Sequence, residues 1–188
     1  MGSGVTGVGR EPNRTAFADK IRGPVVYTQK RTRNAMNNAT QDTVVRSLLS
    51  GLAGAVALNV LHETVRRLNP EAPQVQKLGE RSLVKGLEAL GQQPPAEDEL
   101  YWPALAGDLT ANTLYYSLIG VVPKPAVWPW GAVLGALAGA GAVTLAEPLG
   151  LGDEPVAKTP ERASLTVAWY VVGGLVTAGV YQLLQRRT

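Results

Sequence analysis

The chain has 188 residues, of which 45% are hydrophobic and 18% charged. Most of the charges lie outside the apolar runs, which is the segregation a bilayer imposes. The absence of cysteine excludes disulfide frameworks, thiolate metal sites and cysteine nucleophiles. The formal charge of +3 does not point to nucleic acid: eight of the eighteen Lys and Arg precede residue 47, in a tail where basicity sets orientation and meets anionic headgroups.

Residues 1–43 are polar, rich in Gly, Asn, Thr and Arg, and have no helical or strand periodicity, so this basic tail is expected to be disordered or only locally helical. Its first forty residues contain no apolar core of a signal peptide, and insertion is expected to rely on the first span. Met36 stands directly upstream of that span; a flexible basic arm and a translation start at Met36 are both open readings. The stretch from Gly4 to Gly9 is glycine-rich but follows no strand and lacks the Lys-Ser/Thr ending of a phosphate loop.

Span one is predicted at 44–67, with Asp42 or Thr43 placed to cap it. It closes on Asn59, His62, Glu63, Arg66 and Arg67, and Asn69-Pro70 breaks the helix. Residues 74–90 set Val75, Leu78, Leu83, Val84, Leu87 and Leu90 between charged positions, the pattern of an amphipathic helix that lies at the interface or packs on the protein's own loops. Span two is predicted at 98–122, starting beside Glu97, Asp98 and Glu99, whose carboxylates suit a helix N-terminus, and interrupted by Asp108 and Asn112. A tight Val122-Pro123-Lys124-Pro125 connection makes spans two and three antiparallel neighbours. Span three, 126–147, opens on Trp128-Pro129-Trp130, and span four, 163–185, stops at Arg186 and Arg187. Two charge-free stretches here, 125–146 and 163–185, are each long enough to cross a hydrocarbon core of ~30 Å at ~1.5 Å per residue. The expected fold is all-α, a four-helix transmembrane bundle with an amphipathic interfacial helix between spans one and two.

In lipid, helices associate through close approach of small residues. Ser47, Gly51 and Ala55 recur every fourth residue in span one, Gly131, Gly135 and Gly139 in span three, and Gly174 and Ala178 in span four. Span three is expected to be the central helix. The pattern leaves open whether these faces meet within one chain or between copies.

With four spans, Asn59, His62, Glu63, Asp108, Asn112 and Glu147 fall at the same side of the membrane, together with Thr166 and Tyr170. Asn59 and Glu63, and Asp108 and Asn112, are spaced i,i+4 and so share a helix face. Ionisable groups within spans are costly and by default face the interior. Carboxylates with an imidazole suit a proton relay or a cation site. The structural alternative pairs Glu63 and Asp108 with Arg66 or Arg67 and with one another at the interface, and lets Asn112 bond across helices. Metal spacing is poor, since His62 is the sole histidine and is adjacent to Glu63; no metal and no cofactor are expected. No serine has a base partner other than His62, so hydrolase chemistry is not expected.

Lys and Arg number eleven on the side of the termini and the span two to three turn, against seven on the other, which places both termini in the cytoplasm. A start at Met36 would reverse this to four against seven. The run Leu61-His62-Glu63-Thr64-Val65-Arg66-Arg67-Leu68-Asn69-Pro70-Glu71-Ala72-Pro73, with Leu105-Ala106-Gly107-Asp108 and Leu114-Tyr115-Tyr116-Ser117-Leu118, resembles small, uncharacterised four-span bacterial inner-membrane proteins. That resemblance implies a bacterial source and no activity. Together these readings lead us to expect a non-enzymatic multi-pass protein, structural or accessory, whose partners are the lipid bilayer and a second copy or a membrane complex. The alternatives are a small proton- or cation-handling component and, more weakly, a lipid-modifying enzyme.

Overall fold

The computed structural model describes residues 14–69 and 71–186, with side chains from residue 35 onward. The chain divides into two compact units, Met1–Asp42 and Thr43–Thr188. Among the described residues all regular structure is helical: α1 (Arg14–Leu68), α2 (Val75–Ala89), α3 (Tyr101–Tyr116), α4 (Val127–Leu145), α5 (Glu154–Ala157) and α6 (Pro160–Arg186), with short 3-10 turns at Glu97–Glu99, Ser117–Val121 and Lys124–Ala126. In the first unit the backbone is already helical from Arg14, thirty residues ahead of the predicted start of span one at Val44. The glycine-rich stretch from Gly4 to Gly9 lies outside the described residues, as does Pro70.

Each helix end has a local cause. Thr159 caps α6: its Oγ1 accepts the Arg162 N–H at 3.3 Å, and Pro160 occupies the first turn, where a missing N–H costs nothing. At the end of α2, Gly91 adopts φ +69°. Its N–H reaches Glu88 O at 2.9 Å, and the Gln92 N–H reaches Leu87 O at 2.9 Å, the paired closure that only an unstrained left-handed residue permits. The α1 terminus is followed by an Asn69 turn, in which Asn69 Oδ1 accepts the Glu71 N–H at 3.0 Å.

Among the described residues three helices are long and apolar enough to cross a membrane: Ala35–Leu68, Lys124–Leu145 and Pro160–Arg186. The predicted span two divides instead. Its α-helical part, α3, has 16 residues and reaches about 24 Å, short of the ~30 Å core. The five residues Ser117–Val121 continue it as 3-10 helix and add about 10 Å. The tightening comes just before Val122, held extended at φ −99°, ψ 148° by the proline that follows.

The helices α1, α3, α4 and α6 alternate in direction. Along α4, Gly131 faces Gly174 and Ala178, Gly135 faces Tyr170 and Val171, and Gly139 faces Val167, so α4 and α6 are antiparallel. Gly51 lies on Thr113 and Ser117, and Gly120 on Ser47, which makes α1 and α3 antiparallel as well. Gly54 meets Gly173 and Thr177 across α1 and α6. The small-residue faces therefore meet within one chain, and Ala55 and Ala178 are fully buried among them. The common partner is α6, not span three: it carries α1 on Gly173, α4 on Gly174 and Tyr170, the Tyr116 ring of α3 on Gly173, and the Val156 carbonyl of α5 on Thr166. The reason is that α6 presents small residues on two sides, whereas α4 presents one glycine stripe.

Leu58, Ile119, Val127 and Leu134 fill the core, but many other large apolar side chains point outward. Leu49, Leu52, Val60, Leu114, Leu137 and Val172 are exposed, and only 28–39% of the three long apolar windows is buried. Water-soluble monomers rarely leave so continuous an apolar surface uncovered. Two buried hydroxyls bond inside their own helices, Ser50 Oγ donating to Arg46 O at 2.6 Å and Thr177 Oγ1 to Gly173 O at 2.9 Å, while Thr113 Oγ1 is buried without a partner among the described residues.

At the end of the bundle that holds the α1 C-terminus, α2 packs on α3 and α5. The second reading of residues 74–90 places this helix on the protein's own loops; its neighbours are instead the helices α3 and α5. Arg81 Nη1 donates to Leu151 O at 2.6 Å, the Gln74 N–H to Pro155 O at 2.7 Å, and Arg162 Nε to Glu71 O at 2.8 Å, tying the two connecting loops together.

Candidate functional site

The polar residues singled out in the sequence separate into three settings. Asp108 is the hub of the first. Its Oδ2 accepts Asn59 Nδ2 from α1 at 2.8 Å, and its Oδ1 accepts Asn112 Nδ2 one turn along α3 at 2.9 Å. Asn59 also donates to Ala55 O at 3.0 Å. The cross-helix bond is thus made by Asn59, whereas Asn112 bonds within its own helix. Both Asp108 oxygens act as acceptors, the arrangement that suits an ionised carboxylate. Among the described residues no Lys or Arg pairs with it.

Glu63 belongs to a second setting. Arg66 approaches it with Nη2 at 2.7 Å from Oε2, and Arg67 Nε lies 2.7 Å from Oε1, so one carboxylate takes two guanidinium groups from the next turn of α1. The sequence allowed this pairing, and the helix spacings i,i+3 and i,i+4 bring it about. Glu147 stands apart from both groups, exposed in the turn that follows α4. There only its backbone carbonyl has a described partner, the Gly150 N–H at 2.7 Å.

His62 is 8% exposed and packs its ring against aromatic residues of α6, 4.9 Å from Trp169 and 5.9 Å from Tyr170 between centroids. Its Nε2 is buried without a hydrogen-bond partner among the described residues. A neutral imidazole in this position acts as a packing ring whose unpaired nitrogen costs about 1–3 kcal/mol.

Asn59, His62, Glu63 and Asp108 also line a cavity of about 630 Å³ between the C-terminal part of α1, the start of α2 and the start of α3. Most of its wall is apolar, contributed by residues such as Val56, Val75, Ala104 and Leu105, with Tyr101 beside them. A volume of ~300–1,000 Å³ with an apolar wall and a few convergent polar groups is the usual form of a small-molecule site. No three His, Cys, Asp or Glu side chains among the described residues converge as metal ligands would.

Sequence reasoning did not find four features. Tyr116 is fully buried and its hydroxyl donates to Tyr170 O at 2.7 Å; Tyr115 donates to Leu134 O at 2.9 Å. Consecutive tyrosines in an apolar stretch read as packing residues, and nothing in the pattern shows that two helices offer carbonyls to them. The Trp169 partner of His62 and the cavity itself depend on tertiary geometry alone. Comparison with family models, with curated proteins and with solved structures finds no match for this chain.

Proposed function

We propose that this chain is a four-span integral protein of the bacterial inner membrane, with both termini in the cytoplasm, and that it serves as a non-enzymatic structural or accessory bundle. The alternating helix directions support four crossings, with α3 and its 3-10 continuation together about 34 Å long. The accessory role rests on one observation: the two carboxylates at the polar cluster of α1 and α3 are already held by neighbouring side chains of the protein itself. Asp108 is clasped by Asn59 and Asn112, and Glu63 by Arg66 and Arg67. Such a clasp fixes the register of α1 against α3, and cross-helix polar contacts in bilayers contribute about 0.6–2 kcal/mol each. Because the glycine faces are used inside the chain, a partner subunit or second copy would meet the outer Leu and Val surface.

A second reading, proton or cation handling, draws on the position of Asp108 and His62 at a cavity. Proteoliposomes holding a pH-sensitive dye separate the two. The accessory role predicts proton and cation flux equal to that of protein-free vesicles, and a lower unfolding midpoint for Asp108→Asn. Flux by the wild type that Asp108→Asn abolishes would establish transport instead.

A further inference from the structure

We infer that the cavity between α1, α2 and α3 is a binding site for a monocationic amphiphile, a protonated alkyl or aryl amine whose ammonium group rests on Asp108. The argument begins with charge. Three carboxylates (Glu63, Glu80, Asp108) and one guanidinium (Arg67) line the cavity. Arg67 is committed to Glu63, which Arg66 also holds. Asp108 and Glu80 therefore face the space without an ion-pair partner among the described residues.

An ionised carboxylate has about four acceptor positions on its two oxygens, and the Asn59 and Asn112 amides fill two. The remaining two suit N–H donors from a ligand. In a low-dielectric setting a cation there gains far more than it would in water, while an anion would be repelled. The rest of the wall sets the ligand's other end: Val56, Val75, Ala104 and Leu105 supply an apolar lining, and Tyr101 adds a ring that favours a cation or an aryl group nearby. The site lies at the end of the bundle where α2 packs on α3.

The same ammonium chemistry could come from a free lipophilic amine or from an ethanolamine lipid headgroup. The test uses the full chain in nanodiscs and titrates 2-phenylethylammonium, with neutral 2-phenylethanol as the uncharged control. We expect saturable binding of the amine and none of the alcohol, at least tenfold weaker amine binding by Asp108→Asn, and a similar loss with Gly79→Leu. Gly79 lines the cavity and a Cβ there would meet nothing within 4 Å, so Gly79→Leu fills the space while the helix is retained. Equal affinity for amine and alcohol, or unchanged affinity in Gly79→Leu, overturns the inference. Nanodiscs of phosphatidylethanolamine against phosphatidylcholine, whose headgroup has no N–H, identify the source. Weaker apparent amine affinity in the ethanolamine discs means that the lipid head occupies the site; equal affinity in both means that a free amine does.

Discussion

The α4–α6 contact and the α1–α3 contact join antiparallel helices by opposite means. Between α4 and α6 the partners are backbones: a Cβ on Gly135 would stand 2.5 Å from Val171 Cα, and one on Gly131 2.6 Å from Gly174 O. Nothing there can rotate aside, so specificity comes from the absence of side chains. Between α1 and α3 the upper part is equally close at Gly51, but the lower part opens into the cavity and is held by the Asn59–Asp108–Asn112 bonds. A membrane bundle can thus be dense where it must be rigid and polar-pinned where it keeps a space.

The sharpest way to break this contrast is Gly135→Leu, which forces side-chain atoms into the Tyr170 carbonyl and Val171 backbone. Overpacking of this kind costs about 3 kcal/mol or more when backbones must part, and we expect loss of the monodisperse species on size exclusion in detergent. Unchanged elution and unfolding would show that α4 and α6 do not meet face to face. The polar contact should yield less. Asp108→Ala should lower stability by about 1–3 kcal/mol in a denaturant titration, and a double-mutant cycle with Asn59→Ala should return a coupling of about 0.6–1.7 kcal/mol. A coupling near zero would remove the clasp as a determinant of register. Tyr116→Phe deletes one hydrogen bond to Tyr170 O without changing the packing volume, and about 1 kcal/mol of destabilisation is expected from the same titration. Smallest is Gly107→Ala, a helical glycine with nothing within 4 Å of the added methyl, for which we expect a gain of up to about 1 kcal/mol in the unfolding midpoint measurement.

The helices themselves were legible because composition and periodicity report on solvent. The span predicted at 126–147 is α4 at Val127–Leu145, and the helix predicted at 74–90 is α2 at Val75–Ala89. The helical stretch predicted at 98–122 was legible in extent but not in kind, since the switch to 3-10 helix after Tyr116 depends on the Val122-Pro123 brake and on Gly120 fitting against Ser47. For the polar residues, spacing along one helix was sufficient for Glu63 with Arg66 and put Asp108 and Asn112 on one face, but Asn112, expected to bond across helices, bonds to Asp108 within α3 instead. Spacing was insufficient for Asn59 on Asp108 or His62 on Trp169, where rotation and crossing of separate helices decide the contact.

The role of α6 as common partner bears on biogenesis. Ribosomal synthesis is vectorial, so α1, α3 and α4 emerge before the helix on which they converge. Until Gly173 and Gly174 arrive, the notches at Gly54, Gly131 and Gly135 stand open to lipid or to whatever insertase or chaperone attends the nascent chain. The α1–α3 contact can form beforehand, but closure of the bundle waits for α6, and a stalled chain cut short before residue 173 should be the form that membrane proteases clear first.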